Sequence, residues 1–174
     1  MRMSVNVSPR QFFSGALVPA VRRALEESGL PAACLMLEIT ESALLGNNDL
    51  TARQLHELRE LGVRLAIDDF GIGYSSLSYL RSLPIDTLKV DRSFVRDLPA
   101  NAETASIVTA ILALAKSLRL GVIAEGVETA EQARFLRTLG CELMQGYLFG
   151  RPLPLNEFEE RLWQASSEHV SAAS

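Results

Sequence analysis

Apolar positions along this chain follow two rhythms. Six short apolar runs each end in a polar or acidic residue: Met3-Ser4-Val5-Asn6, Leu35-Met36-Leu37-Glu38, Leu65-Ala66-Ile67-Asp68-Asp69, Thr87-Leu88-Lys89-Val90-Asp91, Val122-Ile123-Ala124-Glu125 and Glu142-Leu143-Met144-Gln145. Between them lie longer stretches whose apolar residues recur at helical spacing. A strand covered by helices on both faces reads apolar throughout. The runs therefore predict strands of a parallel sheet, and the stretches predict crossover helices with right-handed connections. Asn6 to Glu38 spans 32 residues, Glu38 to Asp68 spans 30 and Lys89 to Glu125 spans 36, the lengths of βα units. The polar residue ending each run falls at the carboxyl end of its strand, where parallel α/β barrels carry their chemistry.

The helices follow from stop and start signals. Ser8 as N-cap and Pro9 at the first helical position predict a helix to about Ser28, ended by Gly29, with Leu17, Val21, Ala24 and Leu25 on one face. Asn48-Asp49 open a second helix carrying Leu50, Leu55, Leu58 and Leu61 and ending at Gly62. A short helix runs from Ser75 to about Leu83 before Pro84. The longest spans Glu103 to Leu120, striped by Ile107, Ile111, Leu114, Ala115 and Leu118. Thr129 caps a helix through Leu139, closed by Gly140, and Pro154 to Trp163 holds the last. The tail, 164–174, is small and polar and is expected to fray. One domain over 1–163 is expected. A closed barrel of this kind uses eight strands and about 200–250 residues, so six strands in 174 residues predict an incomplete one.

Composition narrows the function classes. A chain 48% hydrophobic and 174 residues long can bury one sizeable core. A net charge of −4 supplies no global attraction to a nucleic-acid polymer or to anionic lipid. No apolar run approaches the roughly 18–20 residues of a membrane span. Met1-Arg2 leads directly into the first strand, so no signal peptide is expected and a cytoplasmic location follows. Cys34 and Cys141 lack Cys or His neighbours and read as buried thiols. His56 and His169 fall on an amphipathic helix and in the tail, where no catalytic role is expected.

The strand ends carry the candidate chemistry. Asp68 and Asp69 are consecutive, and consecutive strand residues face opposite ways; at a strand end the chain turns and both can converge. Two carboxylates about 4 Å apart repel by roughly 4 kcal/mol at an effective dielectric of 20. A hard cation such as Mg²⁺ or Mn²⁺ relieves that repulsion. The alternative is one N-cap aspartate and one solvated one. Gly71 and Gly73 suit a tight loop approaching a ligand. Glu38 reads as a ligand or a helix-cap acid, with Glu41 bracing a nearby loop. Asn6 reads as a carbonyl ligand or a turn residue. Lys89 and Asp91 share a face, either acting on a water beside a phosphate or forming a structural pair. Glu125 and Glu128 repeat the acid-x-x-acid spacing, and Gln145-Gly146-Tyr147 offers an amide and an aromatic face. Jointly these residues describe an oxygen-rich site for one or two divalent cations with a lysine beside it, fit for metal-dependent phosphoester hydrolysis. No serine sits in a nucleophile elbow.

The same stretches resemble a known family. Val5-Asn6-Val7-Ser8-Pro9-Arg10-Gln11-Phe12, Leu37-Glu38-Ile39-Thr40-Glu41, Ile67-Asp68-Asp69-Phe70-Gly71-Ile72-Gly73-Tyr74-Ser75-Ser76-Leu77, Leu88-Lys89-Val90-Asp91, Ala124-Glu125-Gly126-Val127-Glu128 and Met144-Gln145-Gly146-Tyr147 are similar, in order, to the EAL domain of bacterial cyclic-di-GMP phosphodiesterases. The resemblance covers roughly residues 3 to 158. It implies a TIM-barrel-like (β/α) EAL fold that opens cyclic-di-GMP to linear pGpG with Mg²⁺ or Mn²⁺. It further implies that Asn6, Glu38 and Asp68 ligate one metal and that Asp68 and Asp69 bridge to a second. Lys89 would position or deprotonate the attacking water, supported by Glu125 and Asp91. Gln145, Gly71 and Gly73 would lie at the substrate, Glu41 and Glu128 would anchor loops, and the helix at 103–119 would form a homodimer interface.

The Glu-Ala-Leu motif that names the family does not occur in this sequence. In the family it precedes the Asn6 strand and supplies a metal-ligating glutamate, with a substrate-contacting arginine just after. The resemblance therefore implies the C-terminal two-thirds of such a domain, with about six of eight strands and impaired hydrolysis. The alternative function is a catalytically inactive remnant that binds nucleotide or a protein partner.

Overall fold

Strands and helices alternate as the two rhythms require. The structure, a computed structural model, describes residues 2–44, 48–73 and 77–162. Its strands are β1 (Met3–Val7), β2 (Leu35–Thr40), β3 (Arg64–Phe70), β4 (Thr87–Val90), β5 (Gly121–Ala124) and β6 (Leu143–Met144). They form one sheet in the order β1-β2-β3-β4-β5-β6, every neighbouring pair parallel. Each strand lies beside its predecessor, so the order never reverses as it would in a doubly wound sheet. The result is a half-barrel, the incomplete barrel expected.

The helices are α1 (Pro9–Phe12), α2 (Leu17–Ser28), α3 (Glu41–Leu44), α4 (Asn48–Glu60), α5 (Leu77–Ser82), α6 (Arg92–Val95), α7 (Ala102–Leu118) and α8 (Ala130–Thr138), followed by helical residues 155–162. Several departures from expectation have local causes. The single helix expected over 9–28 is two. Gly15 takes a left-handed φ of 72°, and the Ser14 hydroxyl accepts the Ala16 N–H at 3.1 Å, so the ladder breaks between Phe12 and Leu17. The short helices α3 and α6 carry no helical stripe long enough to announce them. On α7 the buried side is Val108, Ile111, Leu112 and Ala115, whereas Ile107 is exposed. On α4 Leu55 and Leu58 are buried and Leu50 is exposed. Cys141 is buried but Cys34 only partly, and both are free thiols. The expected helix start at Ser75, the fraying tail and His169 lie outside the described residues.

Alternation along the strands divides the sheet into two faces. Leu35, Leu37 and Ile39 of β2, Leu65 and Ile67 of β3, and Leu88 and Val90 of β4 join the core cluster with Leu55 and Leu58 of α4 and Val108 and Ala115 of α7. The opposite parity carries Asn6, Glu38, Asp68 and Lys89. Register aligns them, with Asn6 opposite Glu38, Thr40 opposite Asp68, and Lys89 opposite Ile123, two residues before Glu125. The apolar face thus anchors the sheet to its helices and leaves the polar face to converge. Among the described residues no helix is long and apolar enough to cross a membrane.

Candidate metal and catalytic centre

Lys89 occupies the middle of the polar face. Its side chain is 3% exposed, and Nζ lies 2.5 Å from Glu38 Oε2, 3.0 Å from Asp68 Oδ1 and 2.7 Å from Glu125 Oε1. The contact to Asp68 has ion-pair distance without the angle of a hydrogen bond, since that oxygen has no hydrogen-bond partner. Burial alone would lower the lysine pKa. The close carboxylates of Glu125, Glu38 and Asp68 outweigh it and hold the ammonium above its ordinary value. Lys89 is therefore firmly protonated in this arrangement.

A break in strand regularity turns Asp69 toward the same place. The β3–β4 register shifts between Ile67 and Phe70, and Asp69 takes a left-handed φ of 55°. Aspartate tolerates that conformation better than most residues do. An extended strand would have sent Asp69 to the opposite face from Asp68. Instead one oxygen each from Asp68, Asp69 and Glu125 lie within 4.8 Å of one another. Burial, then the charges of Asp68 and Asp91, raise the Asp69 pKa. Burial also raises that of Glu125, against the pull of Lys89.

These observations test whether the donor set fits a hard divalent cation. Four carboxylates face one ammonium, leaving the ring negative. The Asn6 amide nitrogen donates to Asp68 Oδ2 at 3.3 Å and to Glu38 Oε2 at 3.2 Å, while the buried Asp68 Oδ1 has no hydrogen-bond partner. An all-oxygen donor set with surplus negative charge suits Mg²⁺ or Mn²⁺, so the residues fit such an ion.

The loop after β3 is tied to a neighbouring strand end. Glu41, 5% exposed, accepts the Gly71 N–H on Oε2 at 3.1 Å. A Cβ on Gly73 would meet the same carboxylate at 3.0 Å, and one on Gly71 would meet Phe94 at 3.0 Å. Gly71 also takes a left-handed φ of 99°, which disfavours a side chain there, whereas one at Gly73 would have to displace the Glu41 carboxylate. Asp91, just beyond β4, caps α6 by accepting the Ser93 N–H at 2.8 Å. Burial would raise its pKa, but the hydrogen bonds from Ser93 and Arg92 and the Arg92 charge lower it. Glu128 is exposed and lines a cavity of about 770 Å³ with Ile72, Asp91, Arg92 and Gln132. Gln145 is exposed past β6, where its N–H donates to Ala124 O and its carbonyl accepts Val127 N–H. Gly146 packs so tightly on the Val127 backbone that no side chain fits. Tyr147, also exposed, carries the Arg151 guanidinium 4.3 Å from its ring centre.

The ring thus gathers Asn6, Glu38, Asp68, Asp69, Lys89 and Glu125, while Asp91, Glu128 and Gln145 stand at its margin. Sequence reasoning passed over Arg92, whose charge acts on Asp69 and Asp91. It also passed over Gln132, a buried amide. The Thr129-x-x-Gln132 capping-box spacing could have marked the latter.

Comparison with known proteins agrees with this geometry. The EAL domain family profile matches residues 1–152. The chain is 56% identical over 162 residues to the cyclic di-GMP phosphodiesterase NbdA of Pseudomonas aeruginosa, covering 93% of this chain and 21% of that protein. Among solved structures, the MucR phosphodiesterase from the same organism in complex with c-di-GMP superposes with a TM-score of 0.87 at 45% identity, covering 90% of this chain and 64% of that one. Klebsiella pneumoniae BlrP1, in a complex with manganese and cy-diGMP, gives a TM-score of 0.80 at 36% identity, covering 87% and 39%. The chain spans about a fifth of the length of the curated relatives it matches.

Proposed function

Because this chain belongs to the EAL domain family, we propose that it carries the metal-dependent centre of a cyclic-di-GMP phosphodiesterase, which hydrolyses cyclic-di-GMP to linear pGpG. The observation that carries the proposal is the buried Lys89 ringed by Glu38, Asp68 and Glu125, with Asp69 turned in beside them. Asn6, Glu38, Asp68 and Asp69 are the residues that would hold Mg²⁺ or Mn²⁺. A bound ion would supply Lewis-acid activation of water and charge neutralisation at the phosphoryl oxygens.

The remaining roles fall to the chain's own groups. Lys89, held by Glu38, Asp68 and Glu125, positions the attacking water and the phosphoryl oxygens. Glu125, whose pKa burial raises, accepts the water proton. The water oxygen bonds to phosphorus as the bond to one 3′-oxygen breaks. That oxygen takes up a proton and the product keeps a 5′-phosphate. Asp91 holds the start of α6, and with it the segment following Lys89. Glu41 anchors the Gly71–Gly73 loop, Glu128 the loop after β5, and Gln145 with Gly71 and Gly73 meets the nucleotide.

The domain is taken to extend over 1–163 with 164–174 as a tail, in a cytoplasmic protein. The exposed Ile107 on α7 supports a homodimer through the helix at 103–119. The test is chromatographic detection of pGpG from cyclic-di-GMP, with Mn²⁺ and then with chelator. Mn²⁺-dependent pGpG supports the proposal. Tight nucleotide binding without any product would instead support the inactive nucleotide-binding reading.

A further inference from the structure

Gln132 is a buried polar residue that the chemistry above does not use. It is 5% exposed and stands at the third position of α8. Its Oε1 accepts the Thr129 N–H at 2.9 Å, completing the capping box, and also the Glu128 N–H at 2.8 Å. Either glutamine or glutamate could do this. The other end of the amide separates the two. Nε2 donates to the Arg96 carbonyl at 3.0 Å, across 36 positions of sequence. Arg96 is the C-cap of α6, so this bond satisfies a helix-end carbonyl. A carboxylate could not make it.

The bond joins the two loops that follow the strands of the Lys89–Glu125 ion pair. One runs from Lys89 through Asp91 into α6, ending at Arg96. The other runs from Glu125 through Glu128 into α8. They also touch directly: Gly126, at a φ of 68°, lies so close that a Cβ there would come 2.5 Å from Arg92 Cβ and 3.2 Å from Arg92 Cα. The second contact leaves no room for slack but supplies no directional bond. The Gln132 amide is the directional tie.

We infer that Gln132 is a positioning residue, which holds the loop after Glu125 against the end of α6 and thereby sets the Glu125 carboxylate against Lys89 and the Asp68–Asp69 pair. The inference rests on the metal-site reading above: a Glu125 oxygen lies within 4.8 Å of oxygens of Asp68 and Asp69, so moving its carboxylate disturbs the ligand pair beside it. Partners outside the ligand set typically change metal affinity or activity by about 10–100-fold when removed.

The experiment compares Gln132→Glu with Thr129→Ala in the purified protein, each read three ways. Mn²⁺ is titrated calorimetrically without nucleotide, kcat and KM are measured for cyclic-di-GMP, and thermal unfolding is followed. Gln132→Glu keeps the helix cap and loses the tie. It is expected to weaken Mn²⁺ binding about tenfold or more and to lower kcat about 10–100-fold, with KM within about threefold. Thr129→Ala loses the side-chain cap and keeps the tie. It is expected to melt earlier with unchanged Mn²⁺ affinity and kcat. If Gln132→Glu does not fold, Gln132→Met takes its place with the same expectation for Mn²⁺ affinity and kcat, and it also melts earlier because it leaves the Thr129 and Glu128 N–H groups without their acceptor. Wild-type Mn²⁺ affinity in the Gln132 variant overturns the inference, as does an equal loss of Mn²⁺ affinity in Thr129→Ala. A wild-type protein that binds Mn²⁺ but makes no pGpG refutes the hydrolysis reading alone, and the titrations then decide on Gln132. One that binds no Mn²⁺ refutes both.

Discussion

The middle and the edges of this sheet are built on different terms. In β2 and β4 every residue is buried or nearly so, on both faces. In β1 only Val7 is buried, and Met3 and Val5 are 48% and 42% exposed; on β6 Leu143 is 50% exposed. The central strands contribute Glu38, Asp68 and Lys89, which hold one another in ion pairs. The edges contribute Asn6 and Gln145, which are exposed. A charge in the middle is costly unless paired, so the central residues are locked into one arrangement. Asn6 is exposed yet reaches Glu38 and Asp68, so it joins the ring from the rim of the sheet.

Removing Lys89 should break the centre with the largest effect. Lys89→Met leaves Glu38, Asp68 and Glu125 without their counter-charge, and stripping one partner from a buried ion pair costs about 3–5 kcal/mol. Denaturant unfolding of the metal-free protein measures it. Turnover of cyclic-di-GMP should fall steeply with nucleotide affinity nearly intact, and a parallel loss of affinity would make Lys89 a binding residue. Two truncations of the apolar face sharpen the contrast next. Leu88→Ala on β4 should cost about 2–5 kcal/mol, whereas Val5→Ala on β1 should stay within about 0.5 kcal/mol. Equal costs would mean that β1 is covered in solution.

The smallest expected effect concerns Asp69 and has the opposite sign. Its folded pKa is raised, so the folded state binds the proton more tightly than the unfolded chain. Stability from this group is therefore present at low pH and is lost as pH rises through its raised folded value. At neutral pH an ionised Asp69 destabilises the metal-free fold. Asp69→Asn should raise the melting temperature of the chelated protein at pH 7, with the gain fading as pH falls into the carboxylate range. A melting temperature lowered by Asp69→Asn at pH 7 would show that the aspartate is stabilised by contacts other than a metal.

Much of this was legible in the sequence, for a physical reason that varies by residue. Glu38, Asp68 and Lys89 interrupt apolar runs, and a charge in a buried strand is conspicuous. Their common face follows from alternation alone once register is known. Asp69 is different. Alternation puts it on the wrong face, and only the register shift and left-handed turn bring it back, neither of which has a composition signal. The division of the helix after Ser8 was hidden because the face of Leu17, Val21, Ala24 and Leu25 lies wholly beyond the break at Gly15 and carries no signal about the residues before it. The helices α3 and α6 are too short to show a period. Gln132 could be marked only as a capping-box residue, because its second partner lies 36 positions away.

The central claim is that the carboxylates of the middle strands form a divalent-cation site. Calorimetric titration of Mn²⁺ into the wild-type protein and Asp68→Asn tests it most directly. Asp68 stands between Asn6, Lys89 and Asp69, so its loss should weaken binding by at least about tenfold while the thermal transition remains cooperative. Identical titrations for the two proteins would contradict the account.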